Sequence, residues 1–393
     1  MDIVLTDLQW VTGQQKIRGD LRIRKGLLYE TGEMLQSQRG VKSIHLKNHY
    51  VYPGFINAHD HLEMNLYPRL GHPPYGNYTE WGKDIYHPKK SPIREIEKIN
   101  IEDRLLMGGL KNLASGATTV AHHNPWNRIL SKKKFPVKVL HDLAWSHSLA
   151  FGKNIKRDFP KDPETPFVIH AAEGVDSLAF EEINNLNELG LLRKNTVLIH
   201  AIAMSQQDID LLLKHGCSMV WCPASNLFLF NRTANIQQVR KLLPVALGTD
   251  STLTGSPTLL AEMQCAYKTG LATPHEIFDM VTTVPAGIFN LPLPSIFPGT
   301  PADLIIAPIL NQDYFENLQY INASNIAAVF INGDLVYADE LLPVSHTLKY
   351  PFTVNGSLKK STTDVKSLLN RIRKNAGTEI LELSPLWRMF DRH

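Results

Sequence analysis

The sequence predicts an α/β protein whose central part is a parallel, TIM-like (β/α)8 barrel and whose two chain ends build a small β-sandwich. Three observations support this prediction. Buried-type apolar runs alternate with helical patterns in the middle of the chain, that middle region has the length of one barrel, and both ends carry short alternating segments. The 393 residues are 43% hydrophobic, which is enough for one large core and a smaller unit.

The middle of the chain alternates between predicted helices and predicted strands. The spacing of apolar residues predicts helices over 101–114, 206–215 and 257–267. Between such patterns lie short apolar runs of the kind that buried parallel strands require, at 118–121, 137–140, 167–170, 197–200, 218–222 and 245–248. Because strands that alternate with helices form parallel sheets, these runs predict the strands of a barrel.

The length of this region fits a single barrel. Roughly 240 residues separate Tyr52 from Leu291, and a (β/α)8 barrel typically needs about 250. The stretch between Leu140 and Phe167 is short, so we leave open a distortion at the third and fourth strands.

Both chain ends carry segments typical of antiparallel strands and turns. Residues 302–307 and 327–331 predict two late strands, followed by a hairpin at Asn332 and Gly333. We therefore assign residues 1–51 and 296–350 to the β-sandwich and residues 52–295 to the barrel. Residues 351–393 are a polar tail with one amphipathic stretch at 365–372, and the sequence assigns this tail no role.

Composition excludes several classes of protein. A net charge of +3 gives no electrostatic reason to expect nucleic acid or membrane partners, and the basic run 132–134 is interpreted as a solvated turn. The N-terminus lacks the features of a signal peptide, and no apolar run approaches the roughly 20 residues of a membrane span. Three cysteines without repeated spacing argue against disulfides and a cysteine zinc site. We expect a cytoplasmic protein, and leave homo-oligomerisation open.

His59 and His61 form a His-x-His pair near the start of the barrel region. In a strand, residues two apart point to the same face, so both imidazoles are able to reach one ion while Asp60 faces away. Alone, this pair is weak evidence, because an isolated His-x-His is more often a polar strand end.

Three further metal-ligand residues end apolar runs: His170, His200 and Asp250. A lone histidine in such a place is usually a hydrogen-bonded core residue, and a lone aspartate is often a helix cap. The chemistry of a parallel barrel, however, lies where the carboxyl ends of its strands meet. Four such ends in order along the chain predict a common site for one cation.

Five segments together resemble a known family: 53–61 (Pro-Gly-Phe-Ile-Asn-Ala-His-Asp-His), 170–173 (His-Ala-Ala-Glu), 198–201 (Leu-Ile-His-Ala), 222–226 (Cys-Pro-Ala-Ser-Asn) and 248–251 (Gly-Thr-Asp-Ser). They resemble the amidohydrolase superfamily. Within it, the pattern is most similar to the mononuclear aminohydrolases that deaminate guanine, cytosine, nucleosides and triazines, together with their chlorohydrolase-like relatives. Connecting segments at 81–88, 116–119 and 298–304 extend the resemblance over most of residues 1–340.

The resemblance implies a ligand set and a division of roles. His59, His61, His170 and Asp250 would bind one divalent metal ion, zinc or alternatively iron, and leave it an open position. Two further roles are implied: Glu173 would shuttle protons to the substrate, and His200 would orient the attacking water.

The implied reaction is hydrolytic deamination of an amino-substituted heteroaromatic ring or nucleoside-like compound by a metal-activated water. Asp250 would accept the proton of that water, whose pKa a bound metal lowers from about 15.7 to about 7. The expected partner is a small planar heterocycle. Trp81, in an aromatic loop, and His122, where the family usually has Asp, are candidate substrate contacts together with Glu173.

Two alternatives stay open from the sequence. Binuclear relatives, which resemble dihydroorotases and hydantoinases, hydrolyse cyclic amides or lactams with a carboxylated lysine on the fourth strand, and Lys153 lies near that place. An ordinary exposed loop lysine is the favoured interpretation of Lys153. A non-catalytic barrel is disfavoured because no predicted ligand is missing. The sequence does not identify the substrate or the leaving group.

Overall fold

The computed structural model describes residues 2–12, 15–36 and 40–391. Within these residues the strands are β1 (Ile3–Thr12), β2 (Gln15–Arg24), β3 (Leu27–Gly32), β4 (Lys42–His45), β5 (His49–Pro53), β6 (Phe55–Asp60), β7 (Ala117–His122), β8 (Lys138–Val139), β9 (Ala144–Ser146), β10 (Phe167–Ala171), β11 (Thr196–His200), β12 (Ser218–Trp221), β13 (Val245–Leu247), β14 (Leu304–Pro308), β15 (Ala328–Ile331), β16 (Asp334–Asp339), β17 (Tyr350–Val354) and β18 (Ser357–Ser361).

The α-helices of the same residues are α1 (Tyr78–Ile85), α2 (Ile93–Ile96), α3 (Ile101–Ala114), α4 (Ile155–Asp158), α5 (Ser177–Glu188), α6 (Gln206–His215), α7 (Pro223–Phe230), α8 (Ile236–Val239), α9 (Leu259–Lys268), α10 (Pro274–Asp279), α11 (Thr283–Ile288), α12 (Val365–Ala376), α13 (Thr378–Leu381) and α14 (Pro385–Asp391). Short 3-10 turns occur at Leu62–Met64, Arg128–Ser131, Glu316–Gln319, Ala323–Asn325 and Pro343–Thr347. No helix in the described part of the chain has the length and apolar character that a membrane span needs.

The middle of the chain is an α/β arrangement of parallel strands, as the sequence predicts. One sheet has the order β6-β7-β8 and the other has the order β13-β12-β11-β10-β9. A parallel bridge between Asp60 and Asp250 connects the two sheets, and the Asp250 amide donates to the His59 carbonyl at 3.1 Å. Eight strands therefore follow one another in chain order, with β8 and β9 at the two outer positions.

The third and fourth strands of this series are the shortest part of it. β8 has two residues and β9 has three, which agrees with the distortion that the short stretch after Leu140 indicated. Among the described residues no ladder pairs β8 with β9.

Both faces of the parallel strands are buried. Phe167, Ile169 and Leu198 pack in the large cluster that includes the surrounding helices, whereas Val168 and Ile199 belong to a separate cluster formed by strand residues. Strands buried on both faces are nearly continuous apolar runs, which explains why the sequence signal for β10 and β11 is strong.

Helix boundaries follow from local capping chemistry. The Asn100 side chain accepts from the Glu102 amide at the start of α3, and the helix has the bounds that the apolar spacing predicts. Helix α6 starts with a capping box between Ser205 and Asp208, and ends at Gly216 in the left-handed conformation with φ 70°.

Both chain ends contribute to one ten-stranded sheet with the order β17-β18-β16-β15-β14-β5-β1-β2-β3, in which β4 also pairs with β1. The predicted hairpin lies between β15 and β16, where Asn332 and Gly333 have φ values of 49° and 73°. The amphipathic stretch of the tail forms α12. This helix buries Leu368 and Ile372, and Arg371 pairs with Asp103 of α3 at 2.7 Å.

Gly108 provides a test of the packing between α3 and the turn that follows His61. A Cβ atom at Gly108 would lie 2.2 Å from the Leu62 carbonyl oxygen, so Gly108→Ala forces two backbones apart. We expect a loss of about 1–3 kcal/mol in the free energy of unfolding, measured by urea denaturation.

Gly287→Ala in α11 is the matched control for this substitution. Gly287 is exposed and nothing lies within 4 Å of its added Cβ, so helix propensity predicts equal or slightly higher stability. Equal stability of the two variants would contradict the close approach at Gly108.

Candidate active site

The ends of the parallel strands bring the predicted ligand residues into one buried cluster. Ligand atoms of His59, His61 and Asp250 all lie within 4.8 Å of one another, and so do those of His59, His170 and His200. The nearest Asp250 oxygen, Oδ1, is 3.5 Å from His61 Nε2 and 3.7 Å from His59 Nε2. Residues separated by up to 191 positions, from His59 to Asp250, thus share one centre.

The donor set of this cluster fits a divalent cation. Both ring nitrogens of His59 and the Nδ1 atom of His61 are buried without a hydrogen-bond partner among the described residues. Burial, followed by the neighbouring histidines, lowers the pKa values of His59 and His170 well below the ordinary value, so both imidazoles are neutral at pH 7. Neutral imidazoles with one carboxylate are ligands that zinc prefers.

Hydrogen bonds behind the cluster orient two of its members. The His170 Nδ1 atom donates to the His147 carbonyl at 2.7 Å, which leaves Nε2 free to face the cluster. Asp250 Oδ2 accepts from the hydroxyls of Ser225 and Thr254, both at 2.7 Å. Burial raises the pKa of Asp250, but His61, His200 and these two hydroxyls outweigh it, so the net shift is downward and the carboxylate is ionised.

The backbone turns sharply where the strands end. Ala172, His200, Ala201 and Asp250 adopt left-handed conformations, with φ values of 51°, 69°, 45° and 51°. Such conformations are costly for residues with a Cβ atom, and they cluster at functional sites when surrounding contacts hold them. At Ala172 that contact is Glu182, whose Oε2 accepts from the Ala172 amide at 2.7 Å.

Glu173 and His200 face each other beside the cluster. Glu173 Oε1 lies 3.6 Å from His200 Nε2, and both side chains are almost completely buried. Burial, then the charges of Asp250 and Glu182, raises the pKa of Glu173 well above its usual range, which favours the protonated form of this carboxyl group. The His200 Nδ1 atom is 2.7 Å from Asn226 Oδ1.

A cavity of about 570 Å³ opens directly above these groups. Its floor contains His61, His170, Glu173, His200 and Asp250, and its walls are largely apolar or aromatic: Met64, Tyr78, Trp81, Ile85, Tyr86, Phe151 and Leu253. The Trp81 indole nitrogen donates to the Leu70 carbonyl at 3.0 Å, which fixes the ring in the wall. Of the predicted substrate contacts, Trp81 and Glu173 line this cavity.

His122 does not line the cavity, and its neighbour His123 joins the histidine cluster instead. His122 pairs with Asp60 across β6 and β7, so both side chains lie on the face that points away from the ligands. The next residue points the other way, and the His123 ring stacks on His170 with centroids 4.5 Å apart. The sequence shows both histidines, but it does not reveal the strand register that decides which of them faces the ligand cluster.

His147 is a residue of this site that sequence reasoning missed. It follows β9 directly, lines the cavity, and packs its ring 4.8 Å from His170. A strand of three residues, of which only Ser146 is buried, leaves too short an apolar run to detect, so its end could not be located. Lys153, the candidate bridging lysine, is exposed and does not line the cavity.

Parallel strands that converge on histidines and a carboxylate beneath a deep cavity define the class of metal-dependent hydrolases. The sequence model of the amidohydrolase family matches residues 137–336, slightly more than half of the chain. The chain belongs to the amidohydrolase family.

Two deaminases align with most of this chain. A 5-methylthioadenosine/S-adenosylhomocysteine deaminase from Pyrococcus furiosus is 24% identical over 84% of this chain and 93% of its own length. The enzyme of the same name from Halobacterium salinarum is 27% identical over 86% of this chain and 95% of its own length.

Solved structures share the fold at lower identity. An adenosine deaminase from Xanthomonas campestris with bound zinc has a TM-score of 0.69 and 15% identity, covering 95% of this chain and 97% of its own. An atrazine chlorohydrolase from Arthrobacter aurescens, complexed with zinc, has a TM-score of 0.68 and 14% identity, covering 95% and 100%.

Metal binding at this cluster is testable by thermal unfolding. A ligand that binds only the folded state stabilises it, so we expect free zinc at 100 times Kd to stabilise the protein by about 2.7 kcal/mol and to raise Tm. His59→Ala removes the ligand shared by both groups of donor atoms, so we expect it to lose most of this shift. His45→Ala, on exposed β4, is the control and should keep it. An unchanged zinc response in His59→Ala would contradict the site.

Proposed function

We propose that this protein is a hydrolase that deaminates an amino-substituted heteroaromatic ring or nucleoside-like compound. One observation carries the proposal: the Glu173 carboxyl group, whose pKa burial raises, and the Asp250 carboxylate lie together at the floor of one largely apolar cavity beside a cluster of buried histidines. The names of the relatives, which are deaminases of adenosine-type compounds, support the same reaction.

We assign His59, His61, His170 and Asp250 as the ligands of one divalent metal ion, with zinc favoured because two structural neighbours carry it. When bound there, such an ion lowers the pKa of water to about 7 and so supplies a nucleophile at neutral pH. Three neutral imidazoles and one carboxylate leave the ion a net positive charge.

Asp250 is assigned as the base that takes the proton of the attacking water. One of its oxygens is occupied by the hydroxyls of Ser225 and Thr254, so the other faces His59 and His61 and is available for proton transfer. The hydroxyl donors keep this carboxylate ionised, which is the state a base requires.

Glu173 is assigned as the acid that protonates the substrate ring. Burial raises its pKa and so favours the protonated form, and transfer of that proton to a ring nitrogen makes the adjacent amino-bearing carbon more electrophilic. The carbon–oxygen bond then forms while Asp250 holds the water proton. That proton leaves with the amine as ammonia, and the new hydroxyl returns a proton to Glu173 as the carbonyl forms.

His200 is assigned a positioning role for the attacking water. Asn226 presents its Nδ2 amide to Thr233 and therefore its oxygen to His200, so His200 carries its hydrogen on Nδ1. Its Nε2 atom is then a hydrogen-bond acceptor beside Glu173. A water placed between these groups has an acceptor on His200 and a second on Asp250, which orients its lone pair toward the substrate.

The walls of the cavity favour a flat, uncharged ring system. Trp81, Tyr86 and Phe151 supply aromatic surface, and Lys83 is the single lysine or arginine among the described lining residues. Stacking and apolar contact therefore provide most of the binding free energy, whereas the polar floor directs the reaction.

We propose one ion rather than two. The exposed position of Lys153 is against the anionic lysine bridge that a binuclear cyclic amide hydrolase needs. The residue that does follow the fourth parallel strand into the cavity is His147, whose pKa burial lowers to about 4. A neutral imidazole does not balance the charge of a second cation as a carboxylated lysine does.

We also propose that β6 to β13 form a closed (β/α)8 barrel over residues 52–295, and that residues 1–51 and 296–350 form a β-sandwich. The chain-order succession of eight parallel strands and the Asp60–Asp250 bridge support the barrel. The shared ten-stranded sheet and its own apolar cluster support a unit built from both ends.

The reaction is testable by ammonia release from zinc-loaded protein with purines, pyrimidines, triazines and their nucleosides. We expect release from at least one aminated ring, and a loss of about 10²- to 10⁴-fold in kcat for Glu173→Gln, because this variant lacks the acid. Zinc content should stay at the wild-type level.

Glu181→Gln is the control, because Glu181 lies on the exposed face of α5. Unchanged turnover in Glu173→Gln would refute the role of Glu173 as the acid. Opening of a cyclic amide without ammonia, with two zinc ions per chain, would favour the binuclear alternative.

Trp81 provides a test of substrate stacking in the cavity wall. Loss of aromatic stacking costs about 1–3 kcal/mol, so Trp81→Ala should raise KM by about 5- to 150-fold with a smaller change in kcat. Trp81→Phe should recover much of the loss, and Trp126→Ala, at a partly exposed tryptophan outside this wall, should have no effect. A KM that is unchanged in Trp81→Ala would show that substrate binds elsewhere in the cavity.

A further inference from the structure

A second polar cluster lies behind the histidines and takes no part in the proposed chemistry. At its centre Lys111 of α3 and Asp60 of β6 form an ion pair with Nζ and Oδ2 3.2 Å apart, and neither side chain has any exposed surface. Asp60 lies between the two ligands His59 and His61, and strand alternation directs it away from the cavity.

Every polar atom of this ion pair has partners. Lys111 Nζ donates to Asn65 Oδ1 at 2.7 Å and to Thr249 Oγ1 at 3.0 Å, in addition to Asp60. Asp60 Oδ1 accepts from Asn65 at 2.8 Å, and Oδ2 accepts from Asn112 at 2.8 Å. A fully satisfied buried network has one preferred arrangement, because each departure leaves a charge or amide unpaired.

The network connects the two segments that carry three of the assigned ligands. Asp60 belongs to the strand end that holds His59 and His61, and Thr249 directly precedes Asp250. A second link runs parallel to Lys111: the Asn57 side chain donates to Thr249 Oγ1 at 2.8 Å and accepts from the Thr249 amide at 3.1 Å. The hydrogen bonds of this network therefore set the distance between the His59–His61 strand end and Asp250.

Stability alone does not explain a charged pair in this place. Two ions that are removed from water lose solvation free energy, and their mutual attraction offsets only part of this loss. A protein with apolar side chains of similar volume in their place is often as stable or more stable. Charge pairs of this kind are able to specify one geometry, at the cost of the desolvation. Here the geometry they specify is that of the assigned metal ligands.

We propose that the Asp60–Lys111 pair is a positioning device that holds the His59–His61 strand end and Asp250 at the separation one divalent cation requires. The inference rests on the ligand assignment of the proposed function. Neither residue touches the cavity, so their loss should weaken metal binding first, and should change activity only through the metal.

Three substitutions separate positioning from stability. Lys111→Met removes the cation and leaves Asp60 unpaired, so it lowers both stability and zinc affinity. The double substitution Asp60→Asn with Lys111→Met removes the unpaired charge as well, which should restore stability without restoring the links to Thr249. Thr249→Val is nearly isosteric and removes the hydroxyl that accepts from both Lys111 and Asn57, while the ion pair itself stays intact. We therefore expect it to fold even where Lys111→Met does not.

Lys359→Met is the matched control for loss of a buried lysine. The Lys359 side chain is also fully buried, pairs with Asp339, and donates to the carbonyls of Ser324 and Ile326 at 2.7 and 2.8 Å, in the ten-stranded sheet. We expect this variant to lose stability and to keep the wild-type affinity for zinc.

The experiment measures zinc Kd by competition with a chelator, Tm without metal, and the visible spectrum of the cobalt(II)-substituted protein, which reports ligand geometry. We expect zinc Kd to rise about 10- to 100-fold in Lys111→Met and in the double variant, and about 10-fold in Thr249→Val. The cobalt spectrum should change in all three and stay unchanged in Lys359→Met.

The outcomes separate this inference from the proposed reaction. Wild-type zinc affinity and cobalt spectrum in the three variants would overturn the positioning role alone. Affinity that falls in proportion to Tm, and equally in Lys359→Met, would also overturn it. A third outcome is also possible: zinc binding depends on the Asp60–Lys111 pair, but the protein releases no ammonia from any substrate. This outcome would refute the proposed deaminase activity and leave the positioning role in place.

Discussion

The structure depends on one electrostatic constraint: several imidazoles are packed together out of water, where burial disfavours the charged forms of His59, His123 and His170. His61, His123 and His170 stack with nearly parallel rings, and His59 packs edge-on against all three. Burial lowers the pKa values of His59, His123 and His170, so their lone pairs persist at pH 7. Lone pairs without donors are costly in a protein interior, and a cation held between them removes that cost.

Three buried carboxylate side chains lie behind the histidine cluster and accept hydrogen bonds from segments next to it. Glu182 of α5 accepts from the Ala172 amide, and Glu262 of α9 accepts from the amides of Ala224 and Ser256 at 2.8 and 3.2 Å. Burial raises the pKa values of both glutamates to about 7. Asp60, the third of these carboxylates, instead accepts hydrogen bonds from the side chains of Asn65 and Asn112. The two glutamates hold backbone amides near the proposed site, and the bond from Ala172 to Glu182 holds one of the left-handed residues at the strand ends in a single conformation.

The sequence predicts those features that are local, and misses those that depend on register or on weak strands. The His-x-His pair and the ends of β10 and β11 are readable because strongly apolar runs lead directly to His61, His170 and His200. The choice between His122 and His123 is not readable, because a shift of one residue exchanges the two faces of a strand. The end of β9 at His147 is hidden for another reason: three residues do not make a periodic pattern.

The division between floor and walls explains how one fold serves different substrates. An adenosine deaminase and an atrazine chlorohydrolase share this fold at 15% and 14% identity, so the strand framework does not select the ring that is bound. In the proposed function, selection falls to side chains outside the strands, and those that line the cavity here are the aromatic residues of α1 and its loop together with Phe151 and Leu253. Tyr78 and Trp81 of α1 belong to a different element from the strand ends that carry the proposed metal ligands. Changes in the walls therefore alter substrate preference at little cost to metal binding, whereas changes in the floor or in the network behind it affect every substrate alike.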